Sequence, residues 1–294
     1  MTRDRARLAG LVPGLWLAIF FAFPFLLVAK LSLSDTVLAM PPYAPRIDWS
    51  QGAAGVRSFL AGLDAETYAR LIQDRLYLDA WVSSLRIAGT ATGLLFLIGY
   101  PIAYGVSRCP ERWRLALVMA IVLPFWTSFL IRIYAWIAIL KPAGLLNLAL
   151  DGLGLPAINI LNSEAAVILG MVYAYLPFMV LPLYAVLDRQ DESLVEAAQD
   201  LGASPFQAFW RVTFPISLPG AAAGALLCFI PLTGEFVIPD LLGGSETLML
   251  GRVIWIEFFA NRDWPAASAV AIVLLATLVV PILLFERQQA KVAR

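Results

Sequence analysis

Long uncharged stretches recur along the chain and predict helices that cross a membrane. No charged residue occurs between Arg7 and Lys30, Arg86 and Arg108, Glu164 and Asp188, Arg211 and Glu235, or Asp263 and Glu286. A sixth stretch, 115–140, is interrupted only by Arg132. About 20 apolar residues suffice for a helix to cross the hydrocarbon core. The pattern therefore predicts an all-α integral membrane protein with six transmembrane helices, at about 8–30, 86–107, 115–140, 165–187, 214–235 and 264–285.

The polar segments between these spans complete a single transmembrane domain over 1–294. We expect 32–79 to be an external loop and 188–213 a cytoplasmic one. Within 59–79, apolar residues recur at roughly helical spacing among charged ones, which predicts an amphipathic helix at the outer surface. The first span is longer than the 7–15 apolar residues of a signal peptide, and we interpret it as an uncleaved anchor.

Clusters of basic residues predict the orientation, since Lys and Arg accumulate on the cytoplasmic side. One cluster precedes the first span, one lies between spans two and three, and one follows span six: Arg3, Arg5 and Arg7; Arg108, Arg112 and Arg114; Arg287, Lys291 and Arg294. Six spans place all three clusters on the same side. We therefore expect both termini in the cytoplasm of a bacterial cell, with the protein in its inner membrane.

Composition supports a membrane protein and excludes several kinds of site. Hydrophobic residues make up 61% of the chain and charged residues 14%, where soluble domains carry about 25% charged residues. The zero net charge gives no support for nucleic-acid binding. Histidine is absent, which removes the commonest metal ligand, and we interpret the two cysteines as apolar fillers. None of the three lysines follows a glycine, so the chain has no P-loop and we expect no enzymatic activity in it.

The loop 188–213 carries the most specific local pattern. Ser193 and Glu196 have the spacing of a capping box, and Gly202 follows where a helix would end with positive φ. Ser204 and Gln207 repeat the box, with Pro205 at the first helical position. The sequence predicts a helix, a glycine turn and a second helix to about Arg211. Such a rigid unit suits docking on a partner, although a solvated connector has the same composition.

This loop resembles the EAA motif of ABC importer permeases. The motif is Glu-Ala-Ala, three residues, Gly, nine residues, and then an aliphatic residue, any residue, Leu and Pro. The chain has Glu196-Ala197-Ala198, Gly202 and Val212-Thr213-Phe214-Pro215, departing from the motif in Phe214. The resemblance implies a type I importer permease fold in which the loop docks on an ATPase subunit. It assigns docking to these residues: Glu196, Ala197, Ala198, Leu201, Gly202 and Phe206.

Further stretches are similar to the polyamine branch of these permeases. They are Pro124–Trp136, Gly234–Gly244 and Asn261–Ile272, and the last resembles putrescine permeases more than spermidine permeases. The resemblance implies import of a polyamine, with putrescine expected and spermidine or another small solute as alternatives. The implied partners are an ATPase dimer holding ATP and Mg²⁺, a second and different permease, and a secreted or lipid-anchored binding protein that delivers the solute. We expect no cofactor in this chain. Membrane lipids are expected to contact the parts of its surface that these partners do not cover.

A flexible dication needs carboxylates for its ends and aromatic faces for cation–π contact. Glu235 and Asp240 follow span five near two helix breakers, Pro231 and Gly234. Candidate aromatic residues are Phe236, Tyr134, Trp136, Tyr173 and Tyr175. Counting the rise per residue places Arg132 and Glu235 at similar depth, so Glu235 could contact cargo, pair with Arg132, or do both. The aromatic residues could equally belong to an interfacial belt or to helix packing.

Two other classes of protein fit an apolar chain of this length. An intramembrane protease would need a nucleophile or metal site, but histidine-dependent sites are excluded and no aspartyl pair lies in facing spans. An autonomous secondary carrier remains an alternative, although the chain lacks the internal repeat that many carriers show.

Overall fold

Helices make up most of the structure, and six within the described part of the chain are long and apolar enough to cross a membrane. The computed structural model describes residues 11–292, apart from the side chains of Leu284 and 288–292. Arg3, Arg5, Arg7 and Arg294, with 8–10 of the first predicted span, lie outside the described residues. By length and composition, the candidate membrane helices are Leu11–Ser32, Arg75–Arg108, Phe129–Gly152, Glu164–Leu187, Pro205–Thr233 and Trp264–Arg287. The prediction of an all-α fold with six membrane helices is confirmed.

The elements follow one another along the chain with few strands between helices. A two-stranded antiparallel ribbon joins β1 (Asp35–Thr36) to β2 (Tyr43–Ala44). The helices are α1 (Leu11–Ser32), α2 (Ala53–Ala61), α3 (Glu66–Gln73), α4 (Arg75–Arg108), α5 (Glu111–Val122), α6 (Phe129–Leu140), α7 (Leu145–Gly152), α8 (Glu164–Leu187), α9 (Ser193–Asp200), α10 (Pro205–Ala208), α11 (Phe214–Thr233), α12 (Val237–Leu242), α13 (Leu250–Trp255) and α14 (Trp264–Val292). A 3₁₀ turn at Trp49–Gln51 precedes α2, and another at Leu123–Trp126 follows α5.

One compact unit contains the described residues 11–81 and Val253–Thr277. Its polar segment differs from the single amphipathic helix predicted over 59–79. The segment forms the end of α2, all of α3 and the start of α4. Asp74 separates α3 from α4, because the backbone of Asp74 is extended and its Oδ1 accepts a hydrogen bond from the Leu76 N–H at 2.9 Å. Leu71 on α3 is buried while Ile72 is exposed, so α3 itself is amphipathic.

The second compact unit contains Val82–Arg252 and the described residues 278–292. Its core is formed by buried apolar side chains from α4, α6, α8, α11 and α12. The helices α8 and α11 pack closely along a seam at Gly220 and Gly224. A Cβ added at Gly220 would lie 2.9 Å from the Pro182 carbonyl oxygen, and one at Gly224 would lie 3.0 Å from that of Met179. Small residues allow such backbone contact between membrane helices, where van der Waals packing replaces the hydrophobic effect.

Three predicted spans have different boundaries in the structure. Span two, predicted at 86–107, is part of the longer helix α4, which begins at Arg75. The stretch 115–140 is not one helix, because α5 ends at Val122 and α6 begins at Phe129. Pro124 lacks an N–H and restricts the residue before it, which explains the break. Span five begins earlier than 214, since α10 continues through a π-helical turn at Phe209–Thr213 into α11 without a gap. The predicted end of the second loop helix near Arg211 is therefore wrong.

Candidate functional site

Residues 188–208, here called the knob, follow α8 and form the helix–turn–helix predicted from the sequence. Helix α9 ends in a Schellman motif: the Ala203 N–H donates to the Ala198 carbonyl at 3.0 Å, and the Gly202 N–H to that of Gln199 at 2.8 Å. Gly202 has φ of +90°, as predicted. The predicted capping box at Ser204 and Gln207 is present, with Pro205 at the start of α10.

The other predicted capping box is wrong. Ser193 is already inside α9, and Glu196 makes no cap with it. Instead, Asp191 Oδ1 accepts a hydrogen bond from the Ser193 N–H at 3.0 Å. Hydrogen bonds from Ser193 hold the pKa of the Asp191 carboxyl below its usual value. Asp191, and not Ser193, therefore provides the side chain that accepts a backbone N–H hydrogen bond at the start of α9.

The knob presents a bare apolar surface. Leu201 is 91% exposed and Phe206 73% exposed, and they flank the Gly202 turn. Glu196 and Ala197 are exposed on α9, while Ala198 is half-buried. Large apolar side chains held out by a rigid turn are typical of an interface that another protein covers. The structure thus brings all six predicted docking residues together on one short segment.

Ion pairs and aromatic rings fasten the knob to the membrane helices. Arg108 Nη1 lies 2.6 Å from Glu192 Oε1, and Arg114 Nη1 lies 2.9 Å from Asp188 Oδ1. On the other side, the Phe209 ring in the π-helical turn packs edge-on against Tyr100 and Tyr104 of α4, with centroids 5.8 and 5.4 Å away.

The Tyr100 hydroxyl continues this contact into α11. It is 2.8 Å from Ser217 Oγ, and both residues are buried. Because Ser217 Oγ donates to the Phe214 carbonyl at 2.8 Å, the Tyr100 hydroxyl is the donor to Ser217. Tyr100 was not predicted, since nothing in its spacing distinguishes it from an ordinary core residue. Phe209 was expected to offer apolar contact to a partner, but its ring packs against Tyr100 and Tyr104 of this chain.

Glu235 lies in the break between α11 and α12, and both of its carboxylate oxygens accept hydrogen bonds. Its Oε2 accepts a hydrogen bond from the Tyr175 hydroxyl at 2.8 Å. Its Oε1 accepts the N–H groups of Phe236 at 3.2 Å and Val237 at 3.0 Å. Of the predicted aromatic residues, Tyr175 therefore contacts the predicted carboxylate.

The predicted ion pair of Arg132 with Glu235 is not formed. The Arg132 guanidinium lies over the rings of Phe125 and Phe129, with Cζ 5.0 and 5.8 Å from their centroids. Phe125 contacts Phe178 at 5.2 Å, and Phe178 contacts Tyr175 at 5.8 Å. Rings thus separate the two charges. Counting the rise per residue estimates depth along a helix but not the direction in which a side chain points.

The remaining predicted path residues are dispersed. Trp136 and Tyr173 pack edge-on, with centroids 5.5 Å apart, while Tyr134 is exposed on α6. Asp240 forms an ion pair, its Oδ1 lying 3.2 Å from Arg252 Nε, without hydrogen-bond geometry.

A polar cavity of about 710 Å³ lies at the end of α8 remote from the knob. Its lining includes Arg86 and Glu164, which form an ion pair, together with Arg252 and Glu246. The cavity was not predicted from the sequence, because its residues come from three separate segments.

The sequence of the chain matches a known protein family. Residues 8–285 match the family described as "Binding-protein-dependent transport system inner membrane component". The chain belongs to this family. It is thus an inner membrane transport component, a permease subunit of an ABC importer, and the ATPase activity of such importers lies on a separate subunit.

Two similar relatives of this inner membrane component are "Spermidine/putrescine transport system permease protein PotB" from Haemophilus influenzae and from Escherichia coli. They are 45% and 41% identical over 224 residues, covering 76% of the chain and 78% and 81% of the relatives. The resemblance to the polyamine branch is confirmed.

Solved structures of low sequence identity share the fold. A bacterial alginate ABC transporter, in complex with a pentasaccharide-bound periplasmic protein, matches 99% of the chain and 96% of its own at 19% identity, with a TM-score of 0.72. The MetNI methionine ABC transporter matches 74% of the chain and 97% of its own at 18% identity, with a TM-score of 0.56. The expected type I importer permease fold is confirmed.

Proposed function

We propose that this chain is one of two permease subunits of an ATP-driven polyamine importer and that putrescine is its cargo. The observation that carries the proposal is the 45% identity to a spermidine/putrescine permease over 76% of the chain. The solute would arrive on an extracytoplasmic binding protein and pass inward by alternating access.

The knob supports a cytoplasmic ATPase as the driving partner. A rigid turn with exposed Leu201 and Phe206 offers the apolar contact that a docking cleft would cover. The ATPase dimer would hold ATP and Mg²⁺. With the knob in the cytoplasm and six spans, we infer that both termini lie in the cytoplasm as well.

The hydrogen-bonded pair of Glu235 and Tyr175 supports a cationic cargo. A carboxylate in a low-dielectric setting is costly unless it is paired or serves a function. Here it stands in a helix break beside Tyr175, and irregular backbone at membrane depth normally lines a cavity. A passing ammonium group could replace the tyrosine hydroxyl as the partner of this carboxylate.

Uptake measurements test the proposal. Cells that produce the importer from its own gene neighbourhood should accumulate labelled putrescine in an ATP-dependent manner, and excess unlabelled putrescine should compete better than spermidine. Better competition by spermidine would make spermidine the cargo, and uptake of neither would refute the polyamine assignment.

A further inference from the structure

A permanent positive charge lies near the middle of the membrane in the second compact unit. Phe178 is about 21 Å along α8 from Glu164 and about 15 Å from Asp188, by the helical rise of 1.5 Å per residue. The Phe125 ring contacts Phe178 at this depth, and Arg132 Cζ lies 5.0 Å from the centre of the Phe125 ring. The guanidinium of Arg132 is therefore at mid-depth.

Within the described residues, this charge has no counter-ion. Its Nε and Nη1 atoms are buried, and their N–H groups donate no hydrogen bond to any described residue. Glu235 is occupied by Tyr175 and by two backbone N–H groups, and Asp240 is paired with Arg252. Intramembrane arginines are costly and almost always find a carboxylate, a carbonyl group or water.

The backbone beside Arg132 gives a second, independent observation. Between α5 and α6 the chain leaves the α-helical conformation, and Thr127 and Ser128 are extended, with ψ of 154° and 135°. Trp126, Thr127 and Ser128 are all exposed, Trp126 by 81%. Non-helical backbone at this depth is tolerated only where protein or water covers it, not lipid.

We propose that this surface, the mid-membrane patch of 126–128, Arg132 and Tyr134, binds the second permease subunit, and that this subunit presents a carboxylate to Arg132. The inference rests on the proposed function, in which two permeases form the path. A carboxylate there would satisfy the guanidinium, and a packed helix would cover the exposed backbone. In this chain, Glu235 is hydrogen-bonded to Tyr175 and to two backbone N–H groups, so we assign the carboxylate that meets Arg132 to a second, different permease.

Charge also favours a protein cover over a water-filled passage. An uncompensated guanidinium facing the path would repel a dicationic cargo, and repulsion is strong where the local dielectric is low. A carboxylate from the second subunit removes that barrier. It also fixes how the two permeases align, because a buried ion pair tolerates little displacement.

Site-specific photo-crosslinking in the intact importer tests the interface. With p-benzoylphenylalanine replacing Trp126, we expect an adduct between this chain and the second permease. The same probe replacing Leu201 on the knob should yield an adduct with the ATPase. The probe at Leu201 tests the proposed function, because it reports ATPase docking. The probe at Trp126 tests the proposed interface with the second permease. Adducts at position 126 only with lipid, or only with a second copy of this chain, would overturn the inference.

Charge variants give a second measurement. Arg132→Gln should lower the second permease recovered per copy of this chain at least fivefold, and Arg132→Lys should lower it less. The matched control is Arg86→Gln, since the partner of Arg86, Glu164, lies within this chain; its recovery ratio should not change.

A charge swap keeps the test decisive even if Arg132→Gln accumulates poorly. Crosslinking from position 126 identifies the neighbouring acidic residue of the second permease. Arg132→Glu in this chain, combined with lysine at that acidic residue, should restore the recovery of the second permease. Arg132→Glu alone should not. Undiminished recovery with Arg132→Gln, or a swap that restores nothing, would show that the second subunit does not neutralise Arg132.

Discussion

At the scale of single residues, Gly202 shows how much can rest on one backbone conformation. No atom lies within 4 Å of a Cβ added there, so a larger side chain would meet no obstacle. The cost of substitution comes only from φ of +90°, which residues with a Cβ rarely adopt. The exposed ends of the knob keep their relative position because of this turn.

Gly202→Val should strain the turn by about 1–2 kcal/mol and move Leu201 away from Phe206. We expect normal membrane insertion, weak co-purification of the ATPase and lost uptake. Gly202→Asn is the matched control, because asparagine tolerates left-handed backbone, and it should retain most of the association. Equal ATPase recovery from the valine variant and the wild type would contradict the docking role.

The hydrogen bond between Tyr175 and Glu235 should appear as an energetic coupling. Tyr175→Phe and Glu235→Gln, alone and together, should deviate from additive thermal stability of the assembled complex by about 0.5–3 kcal/mol, as expected for residues in contact. Arg132→Met with Glu235→Gln is the control pair and should be additive, because rings separate these charges. Additivity in the first pair and coupling in the second would reverse our assignment of partners.

Residue-scale prediction from the sequence succeeded where the cause was local. The Gly202 turn and the Ser204 capping box depend on neighbours within four residues. The box at Ser193 failed because Asp191, two residues earlier, competes for the same N–H group. The pairing of Arg132 with Glu235 failed because it depends on the helix break at Pro124, which turns α6 independently of α5.

At the scale of elements, the connection between the knob and α4 passes through the π-helical turn. Phe209 projects from that turn onto Tyr100 and Tyr104, while Glu192 and Asp188 hold the base of the knob. Exposed ion pairs contribute about 0–1 kcal/mol each. Edge-on aromatic pairs add about 0.5–1.5 kcal/mol beyond burial, so the rings are the stronger element of this connection.

Phe209→Leu should therefore loosen the coupling of the knob to α4 without removing the docking surface. We expect the ATPase to remain bound, while ATP hydrolysis stimulated by the loaded binding protein falls several-fold. The control Phe259→Leu, which removes a ring contact with Trp255 away from the knob, should leave stimulation unchanged. A fall in stimulation that merely follows the amount of assembled complex would indicate a structural role alone.

At the scale of the whole molecule, the sequence predicted the number and type of membrane helices well, because each needs only a long apolar run. It placed Glu164–Leu187 within one residue. It failed where one run contains two elements, as at 115–140, and where a polar loop and a span are one continuous helix, as at Pro205–Thr233. A single domain over 1–294 stays a prediction.

The dependence on partners also belongs to this scale. The chain has no P-loop, so the isolated subunit in liposomes should neither hydrolyse ATP nor accumulate putrescine. Adding the ATPase, the second permease and the binding protein should restore both activities. Accumulation by the isolated subunit in response to an ion gradient would favour the secondary-carrier alternative.

The glycine seam between α8 and α11 has a mechanical consequence. Gly220 and Gly224 bring the two helices into backbone contact, and the knob joins the end of one to the start of the other. Two helices in backbone contact that are also joined at one end should move as one rigid body. A displacement of the knob would then move α8 and α11 together at mid-membrane. Opening and closing of the path would thus occur along the outer faces of this helix pair rather than between α8 and α11.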